Sequence, residues 1–332
     1  MIRYLLCLFL LSANAFATVT ISPGTPAATI QTALDNDGHV IFEKGTHSLS
    51  THLNLTGSQT IEGERGTLIH CDGDFVHISG PHIRIADLRV FHSQPDQVSG
   101  TCFKFTGGMV SKLWVERVDV WRFEWGVDDY AMSGQNMLWH FKDCYFYYSK
   151  TRMRNAFGMC LWDWCSWVTT GDWPDADDSH FAGSHVEIFN NSGMNFRHCF
   201  VQSNGDLGNP NWVTGFRFVN SHAIEMEHCH ADTIPGWGIV ATGCKWLRLN
   251  QCKSGLCKNN AVWIDNCTRV TINGLNVSGR KNRGIPEVPN TPNVFIGPNT
   301  EYIISDLYST HGTAVDLINP SIPIPASDQN GP

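Results

Sequence analysis

Charge of either sign is scarce in this chain: 16% of its 332 residues are Asp, Glu, Lys or Arg, with a formal net charge of −8. That balance leaves no basic footprint and excludes nucleic acid as the expected partner. The twelve cysteines form no C-x-x-C pair, so the spacing of a structural zinc site is absent. No Gly-rich phosphate loop and no G-x-S-x-G elbow occurs. Beyond the first residues no apolar stretch is long enough to cross a membrane. What remains is a hydrophobic fraction of 42%, the composition of a packed chain rather than a disordered one.

The opening MIRYLLCLFLLSANAFA has the parts of an export signal. Arg3 supplies the positive end, Leu5 to Leu11 the apolar segment, and Ala15-Phe16-Ala17 the small-residue cleavage site. The apolar segment is too short to span a bilayer. The expectation is removal after Ala17 and a secreted or periplasmic location, with no membrane contact afterwards. Cys7 is not preceded by a small residue, so no lipoprotein signal is expected. Cleavage leaves eleven cysteines, and an odd number implies at least one free thiol or an intermolecular bridge. Cysteine also behaves as a small buried hydrophobe, and here five copies fall on one recurring position.

That position is the main organising signal. A short alternating phrase ends on Leu88, Val118, Cys144, Cys165, Cys199, Cys229, Cys252, Leu275 and Leu307, with another apolar residue two places on in seven of the nine. The spacings are 30, 26, 21, 34, 30, 23, 23 and 32 residues. A base period near 22 with insertions of unequal size marks a solenoid, one coil per repeat. Phe216, Ile239 and Val262 recur at 23 residues, as do Cys244 and Cys267. The longer coils carry insertions near 126–136, 170–183, 204–214 and 279–292. The predicted organisation is a leader at 1–17, one long domain at 18–318 with an N-terminal cap, and a Pro-rich tail at 319–332.

The mature start predicts a short amphipathic helix over 26–35, with Ile30 and Leu34 on one face and Thr25 as its cap before Pro26. Strand-like alternation follows at His39-Val40-Ile41-Phe42, Leu53-Asn54-Leu55 and Thr60-Ile61-Glu62-Gly63. This order of helix, G-x-V-x-F-x-x-G-T and T-I-x-G-E-x-G-T resembles the opening of right-handed parallel β-helix proteins of the pectin lyase-like superfamily, which holds pectate lyases, polygalacturonases and tailspike-type depolymerases. The resemblance implies an all-β, single-stranded right-handed parallel β-helix with a short N-terminal capping helix, about three strands per coil, and coils stacked at roughly 4.8 Å. It speaks to fold rather than activity. The N-T-D, G-H-G and R-I-K motifs of polygalacturonases are absent beside Asp128-Asp129. Val262-Trp263-Ile264-Asp265 matches most of the pectate lyase phrase V-W-I-D-H, with Asn266 in place of its His.

Alternation assigns faces. Residues three and five before each anchor point inward, as Phe196 and Met194 do before Cys199. Two before each anchor, an outer column runs Ala86, Glu116, Lys142, Asp163, Arg197, Glu227, Asn250, Asn273 and Ser305. Four before, a second runs Arg84, Trp114, His140, Leu161, Asn195, Glu225, Arg248, Thr271 and Ile303. A further face presents His77, Lys104, Asp128, Glu187, Arg217, Val240, Trp263, Phe295 and Asp316. Glu116–Lys142–Asp163–Arg197–Glu227 alternates in sign coil by coil. This is what a solvated ion ladder needs. It also places Asp163 two coils from Glu116 and from Glu227, roughly 9–10 Å, near the carboxylate separation of an inverting glycosidase.

The segment LWDWCSWVTTGDWPDADDSH adds Trp162, Trp164, Trp167 and Trp173 among five aspartates. Aromatic faces suit the C–H faces of sugars, and carboxylates suit hydroxyls or acid–base work. By alternation Trp162 is interior. The expected site therefore has Asp163 as base between the cations Lys142 and Arg197, and Glu116 or Glu227 as acid. Trp164, Trp167, Trp173, Trp114, His140 and Glu225 are the expected sugar contacts. No cofactor is expected. Calcium at 172–178 has carboxylate density in its favour but lacks an EF-hand spacing. His228, Cys229, His230 and Asp232 can be drawn as a metal site, but flank an interior Cys and read better as structural. The function expected is an exported glycoside hydrolase or polysaccharide lyase, with polysaccharide as its partner. The alternative is a non-catalytic glycan-binding, adhesion or tailspike-like module. Oligomeric state is left open.

Overall fold

The computed structural model describes residues 17–93, 99–107, 110–129, 134–154, 156–169, 183–203, 213–234, 236–257, 260–278, 294–310 and 316–317. Residues 1–16 of the leader, the Pro-rich tail, all of 279–292 and most of 170–183 and 204–214 lie outside them, as do residues 130–133 of the insertion at 126–136.

Hydrogen bonding between coils builds the molecule. Strands of one coil pair in parallel with strands of the next, and the described residues make a sheet of 21 strands and one of 11. The larger sheet is two faces of the coil. Strands such as Ile83–His92 and Lys112–Trp121 run through the corner between them without ending, so both faces count as one sheet. The smaller, second sheet stacks Val76–Ile78, Thr101–Phe105, Trp125–Asp128, Lys150–Arg154, Gly183–Phe189, Val213–Val219, Ile239–Thr242 and Val262–Asp265 in chain order.

The register follows the anchors. Glu116 pairs with Ala86 and Lys142, Lys142 with Asp163, Asp163 with Arg197, Arg197 with Glu227, and Glu227 with Asn250. Phe216, Ile239 and Val262 are aligned as well. On the further face the sequence reading skipped a coil: Arg152 stands between Asp128 and Glu187.

The interior is a set of ladders. Phe141 lies on Trp162 at 4.1 Å and 6°, Trp162 on Phe196 at 6.0 Å, and Phe146 on Trp167 at 5.3 Å. The eleven cysteines among the described residues are buried and unbridged. In the anchor column each thiol also donates back to the coil before it: Cys165 Sγ to Phe141 O at 3.4 Å, Cys199 to Trp162 O at 3.4 Å, and Cys229 to Phe196 O at 3.2 Å. Cysteine thus fills the position and meets a carbonyl beside the corner, which a hydrocarbon of that size does not. Burial pushes the Cys165 and Cys229 thiols well above their ordinary range, so they stay protonated.

The corners explain why so many non-glycine residues adopt positive φ. The residue before seven of the nine anchors is a left-handed non-glycine: Asp87, Arg117, Asp143, Trp164, His198, His228 and Gln251, with φ between 48 and 60°; Gly274, at 69°, precedes Leu275. The opposite corner uses Asn190, Asn220 and Asn266, a residue type that tolerates this region. Gly243 takes the same corner one coil on, where a Cβ would come within 2.3 Å of Asn220 Oδ1.

One end is closed by the helix Ala27–Asp37, which buries Ala27, Ile30 and Leu34. Pro26, in extended conformation, is its N-cap. Thr25 is not the cap, because its hydroxyl donates to Ser22 O at 2.7 Å instead. Gly38, at φ 70°, ends the helix by donating to Leu34 O. Among the described residues no helix is long and apolar enough to cross a membrane.

Candidate functional site at the Trp164 corner

The expected column exists as a column, but its charges pair differently. Asp163 is flanked in register by Lys142 and Arg197, yet its contact is with His198 Nδ1 at 3.7 Å, an ion pair when that imidazole is protonated. Arg197 turns the other way, to Glu227 at 3.6 Å. Glu116 is held by Arg84 at 3.5 Å and Arg117 at 3.6 Å. Glu225 contacts Arg248 at 3.8 Å and accepts from Asn195 at 3.4 Å. Trp114 and His140 are half-buried in the adjoining column, and His140 Nε2 is buried without a hydrogen-bond partner.

Trp164 is 57% exposed at the corner next to Asp163. Its ring lies on His198 at 4.4 Å and 7°, and His198 lies on His228 at 5.2 Å and 5°. The left-handed corner turns these three side chains out of the coil together, so successive coils lay ring on ring along the axis. The outcome is a flat aromatic step with a carboxylate beside it. The signal was available in the sequence, since all three residues immediately precede a cysteine anchor.

Trp167 is not part of this surface. It is fully buried, its Nε1 donates to Thr151 Oγ1 at 2.9 Å, and it belongs to the core ladder. Trp173, with the aspartates at 172–178 and the calcium reading they suggested, lies outside the described residues. Around His228 the side chains diverge: His228 is exposed at the corner while Cys229 is in the core.

Further along the same corner lies a groove of about 520 Å³ that sequence reasoning missed, lined by Gly63, Arg65, Asp87, Arg89, Arg117 and Asp119 among others. Arg117 donates to both carboxylate oxygens of Asp87 at 2.6 and 2.8 Å, which holds Asp87 below the usual carboxylate range. Asp119, though contacted by Arg89 at 3.0 Å, is shifted upward by burial.

No family model matches this chain, and no curated protein sequence does. Solved structures do. An A-module of a mannuronan C-5 epimerase from Azotobacter vinelandii is 12% identical, with a TM-score of 0.50 over 86% of this chain and 96% of that one. Full-length tailspike protein 2 of an Escherichia coli bacteriophage is 13% identical, with a TM-score of 0.57 over 83% of this chain, which spans 40% of the tailspike's length. PfbA, a surface adhesin of Streptococcus pneumoniae, is 7% identical, with a TM-score of 0.50 over 88% and 89% of the two chains. At these identities the likeness is one of architecture. The chain has the right-handed parallel β-helix fold.

Proposed function

We propose that this is an exported, polysaccharide-active β-helix protein that engages a glycan along the Trp164 corner. The observation that carries the reading is the exposed Trp164–His198–His228 stack with Asp163 in contact with its middle ring. A pyranose ring lies on the open face of Trp164, and Asp163 accepts from its hydroxyls or acts as the base. Glu227 and Glu116, two coils away on either side, are the acid candidates. Fold neighbours that act on mannuronan or serve as a phage tailspike are compatible with this reading.

The arginine contacts at Glu116 and Glu227 favour a second reading, in which the corner binds glycan without cleaving it, as expected of an adhesion module. A panel of acidic and neutral polysaccharides, assayed for new reducing ends and for unsaturated products, separates hydrolase, lyase and pure binding. Binding that survives in Trp164→Ala would remove the corner from the reading altogether. N-terminal sequencing of exported protein tests the leader, with Thr18 expected first.

A further inference from the structure

The outer side of the second sheet carries ionisable groups that the Trp164 corner does not use. Thr151, Met153, Val186 and Ile188 are fully buried in the core, so Lys150 and Arg152, and His185 and Glu187, project from the opposite side. Two of these four are satisfied. Arg152 donates to both oxygens of Asp128 at 3.1 and 3.0 Å, and Glu187 receives Arg217 at 3.4 Å.

The other two are not. Lys150 is 8% exposed and His185 3%. Lys150 Nζ lies 4.4 Å from the centroid of the Trp125 ring, and no carboxylate comes within ion-pair distance of it among the described residues. His185 Nε2 is buried with no hydrogen-bond partner. The two residues sit on adjacent coils, since Thr151 pairs with Val186, which puts their backbones about 4.8 Å apart. The Lys150 ammonium has no carboxylate partner among the described residues, and a buried imidazole nitrogen without a partner is costly. One oxyanion reaching both would satisfy both.

We infer that Lys150 and His185 form an oxyanion site on the second sheet, taking the carboxylate or sulfate group of a sugar unit. That the anion is carried by a glycan rests on the function proposed above; the anion chemistry rests on these residues alone. Burial holds Lys150 below its ordinary range, against the pull of Glu124 and Glu187 and with help from Arg152. Burial, with the Lys150 charge beside it, brings His185 down to about 4. An anion between them raises both.

The test uses the whole protein, calorimetry and proton NMR of the His185 ring. The ligands are uronic-acid, sulfated and neutral oligosaccharides of equal length, and inorganic sulfate. Acidic oligosaccharides are expected to bind at least tenfold more weakly to Lys150→Met, with Lys150→Gln as a polar variant should the first unfold. Neutral oligosaccharides are expected to depend on Trp164 and to ignore both changes. The His185 value should rise by a unit or more on binding an acidic ligand. Unchanged acidic affinity in both Lys150 variants, with His185 unmoved, would overturn the site while Trp164-dependent binding left the glycan reading standing. A His185 rise with sulfate, when no oligosaccharide binds, would uphold the anion site and bring down the glycan reading.

Discussion

The Trp164 corner and the outer side of the second sheet are built from the same residue types and treat charge in opposite ways. At the corner, Arg197 and Glu227 pair while each stays more than 40% exposed, at 46 and 42%, and the large apolar group Trp164 is turned to solvent. On the second sheet Lys150 and His185 are nearly sealed, and what accompanies the ammonium is a tryptophan ring. The difference shows that direction and depth are separate properties in a solenoid. Strand alternation decides which way a side chain points; what lies over that face decides how much water it keeps. Exposed pairs are individually cheap to lose, and buried unpaired groups dominate the response to pH and ligand.

The comparison can be broken most forcefully at the two tryptophans on either side of the wall. Trp167→Ala leaves a cavity in the core ladder and should cost about 3–5 kcal/mol in denaturant unfolding. Trp164→Ala should leave stability within about 0.5 kcal/mol while removing glycan binding. Equal stability loss in both would erase the distinction between wall and corner.

The sealed side of the second sheet predicts a pH response. His185 takes a proton more readily in the unfolded chain, near its ordinary 6.5, than in the folded one, at about 4. Its contribution to stability is therefore complete above pH 6.5 and lost as pH falls toward 4, by about 3 kcal/mol over that window. Unfolding of the parent and of His185→Gln across pH 4–7 measures it, and parallel curves would show that His185 is not sealed.

At the corner, Asp163→Asn keeps size and hydrogen bonding while removing charge. If the protein cleaves glycan, turnover should drop by a factor on the order of 100 with binding retained; undiminished cleavage would exclude Asp163 as the base. The smallest effect is expected from Arg197→Ala, whose exposed contact with Glu227 should be worth less than about 1 kcal/mol. A larger loss would mean that the ladder is structural after all.

Much of this architecture can be read from residue order. Met194 and Phe196 before Cys199, repeated at each anchor, give the inner column, and the register of Asp163 with Lys142 and Arg197 follows from the same spacing. Even the burial of Trp167 was written there: it stands two residues after Cys165, the place held by Val120, Phe146, Val201 and Ala231 on other coils, all fully buried. The pull of a Trp-rich, Asp-rich segment toward a sugar-binding reading overrode that pattern. The contact partner of Asp163 was not legible, because side-chain reach across a left-handed corner brought His198 in where register suggested Lys142 and Arg197. Nor were Lys150 and His185, since alternation places them outside and says nothing of what covers them.

The 23-residue recurrence of Phe216, Ile239 and Val262 has a consequence for how such a molecule can change its length. Excising residues 239–261 would join Gly238 to Val262, set Cys267 where Cys244 had been, and shorten the stack by one step of about 4.8 Å. Every remaining side chain would keep its face. Removing a single residue from a strand would instead reverse that strand's inside and outside. Length in this protein is therefore an integer quantity. A lineage that needs to span a longer or shorter polymer can do so only by gaining or losing entire coils.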